Sequence, residues 1–385
     1  MQELYIGLMS GTSLDAVDAV VVDFDKGFKV LGHESLPFES AFKADLLRLQ
    51  APAADELHRA YLASNTLALY YTKACQQLLN RLTLSASDIK AIGAHGQTVR
   101  HRPGAYDSIG YTVQLNNPSL LAERLGITVC ADFRARDIAA GGQGAPLVPA
   151  FHMSLFRADK NSVCVLNLGG ISNLSVIPAK IETPGLSVDQ PELIGFDCGP
   201  ANCLMDEWCR KHTGQDFDES GRWAASGSVV EPLLELLMQE DYFNAPHPKS
   251  TGRDLFNMQW LDKSLDKLER LKTKEGTTRP VDIQATLAAL TAKSCAQSIE
   301  RVAPFCAELI VCGGGALNVH LMRLLALYLP SMKVVSSQLR GLPPLQVEAA
   351  AFAWLAKQCM NGETASVRSV TGAQGARILG AIYQA

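Results

Sequence analysis

Three clusters of small residues stand where short apolar runs end, and each could bring backbone N–H groups to an anion. The first is Met9-Ser10-Gly11-Thr12-Ser13-Leu14-Asp15, which follows the run Leu4 to Leu8. Backbone donors from Gly11 to Leu14, with the hydroxyls of Ser10, Thr12 and Ser13, form a concave set suited to phosphate oxygens. Asp15 and Asp18 would repel a bare phosphate. They belong there either with Mg²⁺ between them and the anion or as groups that cap the turn. A hairpin with a polar turn explains the same residues, and both readings stay open on this segment alone. The second and third clusters, Gly169-Gly170 and Gly313-Gly314-Gly315, also follow apolar runs. A missing side chain there lets a backbone or a ligand approach the strand end. One such turn is weak evidence. Three, spread over both halves of the chain, fit a nucleotide gripped between two domains, with two turns on phosphates and the third beside the nucleoside.

Other reactive residues stand singly. Asp197 closes the run Leu193 to Phe196 and precedes Gly199-Pro200 and a helical stretch. It reads as a helix N-cap or as a carboxylate held on a turn, and one residue can serve as both. Arg134 follows the run Thr128 to Asp132, with Arg136 and Asp137 near enough for a surface salt bridge. His95 opens His95-Gly96-Gln97-Thr98 at another strand end, where a hydrogen-bonded structural imidazole is the simpler reading. Glu348 is the odd polar residue before Ala349, Ala350, Ala351, Phe352 and Trp354, as the helix dipole favours in a first turn.

These residues need elements to hold them. Leu4 to Leu8 and Ala16 to Phe24 are strand candidates joined by the first turn as a hairpin, unlike the strand-turn-helix of a P-loop. A strand Lys29 to Ser35 follows. Asp55 to Leu82 carries Leu57, Tyr61, Leu62, Leu67, Leu69 and Tyr70 at helical spacing, which predicts a long amphipathic helix. Next come a strand Ile89 to Ala94, a helix Pro118 to Leu125 and a strand Thr128 to Asp132. The glycine-rich stretch Ala139 to Pro146 is the strongest punctuation in the chain, and a hinge is expected near residue 150. The pattern then restarts with a strand Ser162 to Leu168, a glycine turn and a strand Leu174 to Pro178. Leu193 to Phe196 is a strand, Asp197-Cys198-Gly199-Pro200 a turn, and Ala201 to about His212 a helix. Helices over 228–240 and 282–303 follow, then a strand Glu308 to Cys312, a helix Asn318 to Tyr328, a strand Lys333 to Val335 and a helix Gln346 to Gln358. Segments 180–192 and 270–280 read as surface loops. Two halves that begin alike predict a duplicated α/β architecture. The expected domains are residues 1–150, completed by 360–385, and residues 151–359.

Composition limits the function classes. A chain of 385 residues exceeds one small core. With 47% hydrophobic and 19% charged residues it has the balance of a globular protein. A net charge of -4 with scattered Lys and Arg argues against nucleic-acid and membrane partners. No apolar run approaches the ~18 residues of a membrane span. The N-terminus has neither the basic region nor the cleavage site of a signal peptide. The ten cysteines lack the paired spacing of a zinc site. Cys130, Cys164 and Cys312 lie in apolar runs, where cysteine acts as a small hydrophobe. A reduced, cytoplasmic protein is expected.

The string Met9 to Asp15, followed by Val17-Asp18, resembles the signature of anhydro-N-acetylmuramic acid kinases, peptidoglycan-recycling enzymes of the actin/hexokinase/Hsp70-like superfamily. The resemblance continues in order through His95-Gly96-Gln97-Thr98, Ala131-Asp132-Phe133-Arg134, Gly141 to Pro149, Asn167 to Asn173, Gly195 to Pro200 and Glu348 to Phe352. It implies a duplicated actin-like (ribonuclease-H-like) ATPase fold of two domains around a deep cleft, the use of ATP with Mg²⁺, and a homodimer. By the same resemblance Asp197 deprotonates a water that attacks C1 of a 1,6-anhydro sugar, and the released O6 takes the γ-phosphoryl group of ATP. Glu348 would contact a sugar hydroxyl near Asp197. Arg134 would receive the lactyl carboxylate, an anion suited to a guanidinium fork. His95, Thr98 and Asp132 would line the sugar pocket. The Mg²⁺ candidates are Asp15, Asp18 and Asp197. Ala16 and Ala201 stand where the family usually has glycine, each adding a methyl beside a ligand turn. A kinase of another sugar, or a non-catalytic actin-like or chaperone-like ATPase, is the alternative.

Overall fold

The computed structural model describes residues 2–11, 14–180, 192–271 and 278–385. Thr12, Ser13 and most of the two segments expected as surface loops lie outside the described residues. The first seven strands are β1 (Leu4–Ser10), β2 (Ala16–Asp23), β3 (Lys29–Pro37), β4 (Ile89–Ala94), β5 (Gln97–Pro103), β6 (Gly110–Leu115) and β7 (Val129–Ala131). They are followed by β8 (Val163–Leu168), β9 (Ile171–Ile177), β10 (Ile194–Pro200), β11 (Glu308–Cys312), β12 (Lys333–Ser336) and β13 (Ala381–Tyr383). The chain divides into two compact units, Met1–Leu155 with Gln346–Ala385, and Phe156–Leu345. Residue 150, where the hinge was expected, lies inside the helix Val148–Phe156.

In the first unit the sheet runs β13-β7-β4-β1-β2-β3, and in the second β10-β9-β8-β11-β12. The directions repeat. β1 pairs antiparallel with β2, and β2 with β3, while β1 to β4 and β4 to β7 are parallel. Likewise β8 to β9 and β9 to β10 are antiparallel, and β8 to β11 and β11 to β12 parallel. Numbering each unit's principal strands from its own first, both read 3-2-1-4-5. This is the duplicated α/β plan of the actin-like class, and it explains why both halves begin with strand, turn, strand. β13 and the separate hairpin β5-β6 are additions to the first unit.

The central strands are buried on both faces, so they read as unbroken apolar runs rather than alternating ones. β1 is buried at all seven positions and β8 at all six. In the first unit the helix Glu56–Leu82 buries Leu67, Tyr71, Ala74 and Leu78, spaced three and four residues apart as one helical face requires. The helix Val347–Asn361 covers β1 and β4 so closely that two glycines are obligatory. A methyl on Gly7 would lie 1.8 Å from the Ala349 carbonyl oxygen, and one on Gly93 would lie 1.9 Å from that of Phe352. The expected domain boundary assigned this helix, and Glu348 with it, to the second half. Here it belongs with the first unit, because those glycines let it sit directly on strand backbone. A second core fills the other unit around β8, β11 and the helix Pro280–Val302, with Leu287, Leu290 and Ile299 buried.

Candidate active site

The first glycine turn leaves β1 at Ser10, a buried residue whose hydroxyl donates to the Gln97 side-chain carbonyl. Leu14 closes the turn in the left-handed region, φ 58°, with its N–H on the Gly11 carbonyl at 3.2 Å and its side chain buried. That backbone costs a branched residue about 1–3 kcal/mol, which the buried side chain offsets. Asp15 is exposed and takes the Lys43 ammonium at 2.8 Å, and Asp18 bonds His33 Nε2 at 2.9 Å. Both acidic residues of this turn thus have partners of their own. Among the described residues no three His, Cys, Asp or Glu side chains gather as a metal site.

At the end of β4, His95 is buried and in ring contact with Phe352 at 4.7 Å. Burial and the neighbouring Arg134 charge push its pKa down to about 3. A neutral imidazole keeps a lone pair, and Arg134 uses it, with Nε at 3.2 Å and Nη2 at 3.0 Å from Nε2. Arg134 Nη1 donates to the Gly144 carbonyl at 2.7 Å. Asp137, weighed above as one side of a surface salt bridge, does not lie at the surface. That carboxylate is fully buried, accepting the Gly144 N–H and the Thr371 hydroxyl, each at 2.8 Å. Arg134 sits at the N-terminus of the helix Ala135–Ala139, and Asp132, just before it, has a left-handed backbone (φ 59°) and an exposed side chain. Thr98 lies on β5 rather than in a turn, its hydroxyl accepting from Gln114 at 3.2 Å. Glu348 is half-buried in the first turn of the helix whose next turn brings Phe352 onto His95. The first unit thus brings Arg134, His95 and the Glu348 helix together.

In the second unit the residues expected as a turn, Asp197 to Pro200, belong to β10. A bulge explains the misreading: Asp197 faces Asn173 and Gly199 faces Ser172, with Cys198 left over. Such an extra residue re-aims its neighbours. Asp197 is not a helix cap, since Ala201 holds that position. Its Oδ1 accepts from Asn173 Nδ2 at 2.9 Å and its Oδ2 from the Thr251 N–H at 3.0 Å. Its own N–H reaches the Lys249 carbonyl at 3.1 Å, and its carbonyl accepts the Tyr242 hydroxyl at 2.8 Å. Burial first, then the Asp197 charge, raises the Tyr242 pKa, so the phenol keeps the proton it donates. The Lys249 ammonium bonds the Tyr242 carbonyl at 2.9 Å, and burial lowers its pKa.

The glycines of this unit fall into two kinds. Gly313 has φ 77°, and a methyl there would lie 2.4 Å from Asn167 Oδ1. Gly315 meets Leu168 Cβ at 2.5 Å in the same test. Packing alone demands both. A methyl on Gly169 meets nothing nearer than 3.7 Å and one on Gly314 nothing nearer than 3.8 Å. The fold does not require glycine at either position, so each can be small for the sake of something that approaches it. The Gly169 and Gly170 carbonyls accept from the N–H groups of Asn202, Ala201 and Cys203 at 3.0–3.1 Å, which holds this turn against the helix Asn202–Thr213.

A sequence model of the family described as anhydro-N-acetylmuramic acid kinase matches residues 3–385. The chain belongs to that family. An anhydro-N-acetylmuramic acid kinase of Albidiferax ferrireducens is 55% identical over all of both chains. One of Variovorax paradoxus is 54% identical over 100% of this chain and 99% of its own. One of Bordetella pertussis is 50% identical over 99% and 96%. Neither of the two alanines expected at ligand turns adopts the left-handed backbone that would favour glycine. Ala201 has φ −112° and donates its N–H to Gly170, and Ala16 is an ordinary residue of β2 opposite Pro37.

Sequence reasoning missed four residues of this kinase that hold candidate side chains, Asp137 in the first unit and Asn173, Lys249 and Thr251 in the second. Asn173 stood within a quoted motif without a role, and its pairing opposite Asp197 depends on strand register. Asp137 entered only as a possible partner of Arg134. Lys249 and Thr251 lie in a segment without periodicity that follows the cis His247-Pro248 bond, and nothing local signals their contact with Asp197.

Proposed function

We propose that this anhydro-N-acetylmuramic acid kinase opens its sugar with Asp197 as general base. Asp197 takes a proton from a water that attacks C1 of 1,6-anhydro-N-acetylmuramic acid. The C1–O6 bond breaks, O6 departs with the electron pair, and it attacks the γ-phosphorus of ATP. The products are N-acetylmuramate 6-phosphate and ADP. In the anhydro sugar O6 is an ether oxygen with no proton to surrender, so the base must act on water rather than on the acceptor hydroxyl, as it does in ordinary sugar kinases.

The observation that carries this reading is the setting of Asp197. Each carboxylate oxygen has one fixed N–H donor, from Asn173 and from Thr251. Bonds to both oxygens orient the carboxylate, as a general base acting on a placed water requires. For ATP, Gly169 and Gly314, where a methyl would make only ordinary van der Waals contact, are assigned as phosphate or nucleoside contacts. Gly170, Gly313 and Gly315 shape those turns. The turn from Ser10 through Gly11, Thr12 and Ser13 to Leu14 would add donors to phosphate oxygens. Asp15 and Asp18 would shape that turn through Lys43 and His33. For the sugar, Arg134 would receive the lactyl carboxylate, Glu348 a hydroxyl, and Thr98 and Asp132 the rest of the ring, with His95 holding Arg134 in place.

Asp197→Asn tests the assignment. The variant should bind ATP as the wild type does while kcat drops about 10²–10⁴-fold, the span of a positioned general base. Loss of ATP binding, or kcat within a factor of a few of wild type, would remove Asp197 from this role.

A further inference from the structure

The loop Gly141 to Pro146 is built around one carboxylate. Asp137 is fully buried and accepts through Oδ2 from the Gly144 N–H and through Oδ1 from the Thr371 hydroxyl, each at 2.8 Å. Its main-chain carbonyl takes the N–H groups of Gly142 at 2.9 Å and Ala140 at 3.0 Å. The loop approaches so closely that a methyl on Gly142 would lie 2.2 Å from Asp137 Oδ2. Residues 140–144 are also laced to the C-terminal segment, Gln143 N–H to the Thr371 carbonyl at 2.7 Å and Gln374 N–H to the Ala140 carbonyl at 2.9 Å. Gly144, held by its N–H on one side, turns its carbonyl to Arg134 Nη1 at 2.7 Å on the other.

We infer that Asp137 is a positioning residue for sugar recognition, fixing through Gly144 the direction in which Arg134 presents its guanidinium to the substrate carboxylate. The inference rests on the proposed role of Arg134. A guanidinium recognises a carboxylate through a planar fork, so a small rotation of the plane loses part of the recognition. His95 fixes the Nε edge and the Gly144 carbonyl fixes Nη1, which together set that plane. Asp137 contributes by holding Gly144, whose backbone is itself left-handed (φ 65°). A substituted loop would let the carbonyl swing away.

The test uses steady-state kinetics of the full chain with the anhydro sugar and ATP varied separately. Asp137→Ser strands the Gly144 N–H and should raise the sugar KM about tenfold, with the ATP KM within about twofold of wild type. Asp137→Asn should restore the sugar KM to within about threefold, because its oxygen can accept from Gly144 while its amide donates to the Thr371 hydroxyl. In an Arg134→Ala background, Asp137→Ser should add nothing, since residues that act through one another are not additive. Additive effects, an equal rise in the ATP KM, or no rescue by Asn would overturn the inference. If Asp137→Ser does not fold, Thr371→Val takes its place in the cycle, and a KM effect that persists without Arg134 is again the contrary result. An unchanged sugar KM in Arg134→Ala alone refutes the Arg134 reading beneath it. A raised one beside an unmoved Asp137→Ser refutes only this inference.

Discussion

His95 and Arg134 form a contact that works only while the imidazole is neutral, because a protonated ring would offer an N–H where Arg134 needs a lone pair. The folded pKa, down to about 3, lies below the ordinary histidine value. Between the two values the unfolded chain binds the extra proton, so the contribution to stability is full above the ordinary value and falls as pH falls through the window. His152, fully buried with its pKa likewise lowered to about 3 by burial, acts in the same sense. Each histidine adds a slope of about 1.4 kcal/mol per pH unit. His95→Gln keeps an acceptor for Arg134 and removes one of the two. Denaturant unfolding between about pH 6 and pH 4 should show a shallower loss of stability in the variant. Equal slopes would mean that His95 is not held neutral. At this scale the sequence marked Arg134, His95 and Asp197 because each ends an apolar run. It could not mark Asp137 or Lys249, whose importance comes from partners made by loop geometry.

At the scale of elements, the glycines separate structural demand from ligand demand. Gly313→Ala forces a side chain into a left-handed backbone and against Asn167, and should lower the melting temperature by several degrees. Gly169→Ala and Gly314→Ala make only ordinary van der Waals contacts, so they should melt within about 2 °C of wild type while raising the ATP KM several-fold. An unchanged ATP KM in both would leave the two turns without a nucleotide role. The strands around these turns were legible because a buried strand ending in glycine is an apolar run followed by a breaker. β10 was cut short at Phe196 for the same reason, since Gly199 and Pro200 look like a turn until the Cys198 bulge absorbs them. The hairpin β5-β6 escaped because its Arg100, His101 and Arg102 carry no apolar alternation. The helix Val347–Asn361 was found but assigned to the wrong half, because Gly7 and Gly93, which seat it, lie more than 250 residues away in sequence.

At the scale of the whole molecule, the two units share one strand order and one set of directions. The residues proposed for the chemistry fall on both. The first carries Arg134, His95 and Glu348, and the second carries Asp197 with the Gly169 and Gly314 turns. The duplication was visible in sequence only as a repeated strand-turn-strand, since the repeat lies in topology rather than in residue identity. The central claim is that ring opening and phosphoryl transfer are one coupled event led by a base acting on water. It is tested most directly by offering the wild-type chain ATP and Mg²⁺ with either 1,6-anhydro-N-acetylmuramic acid or free N-acetylmuramic acid, and measuring ADP and sugar phosphate. The account predicts stoichiometric conversion of the anhydro sugar, and kcat/KM for the open sugar lower by about a hundredfold or more. Equal turnover of the two sugars would contradict it.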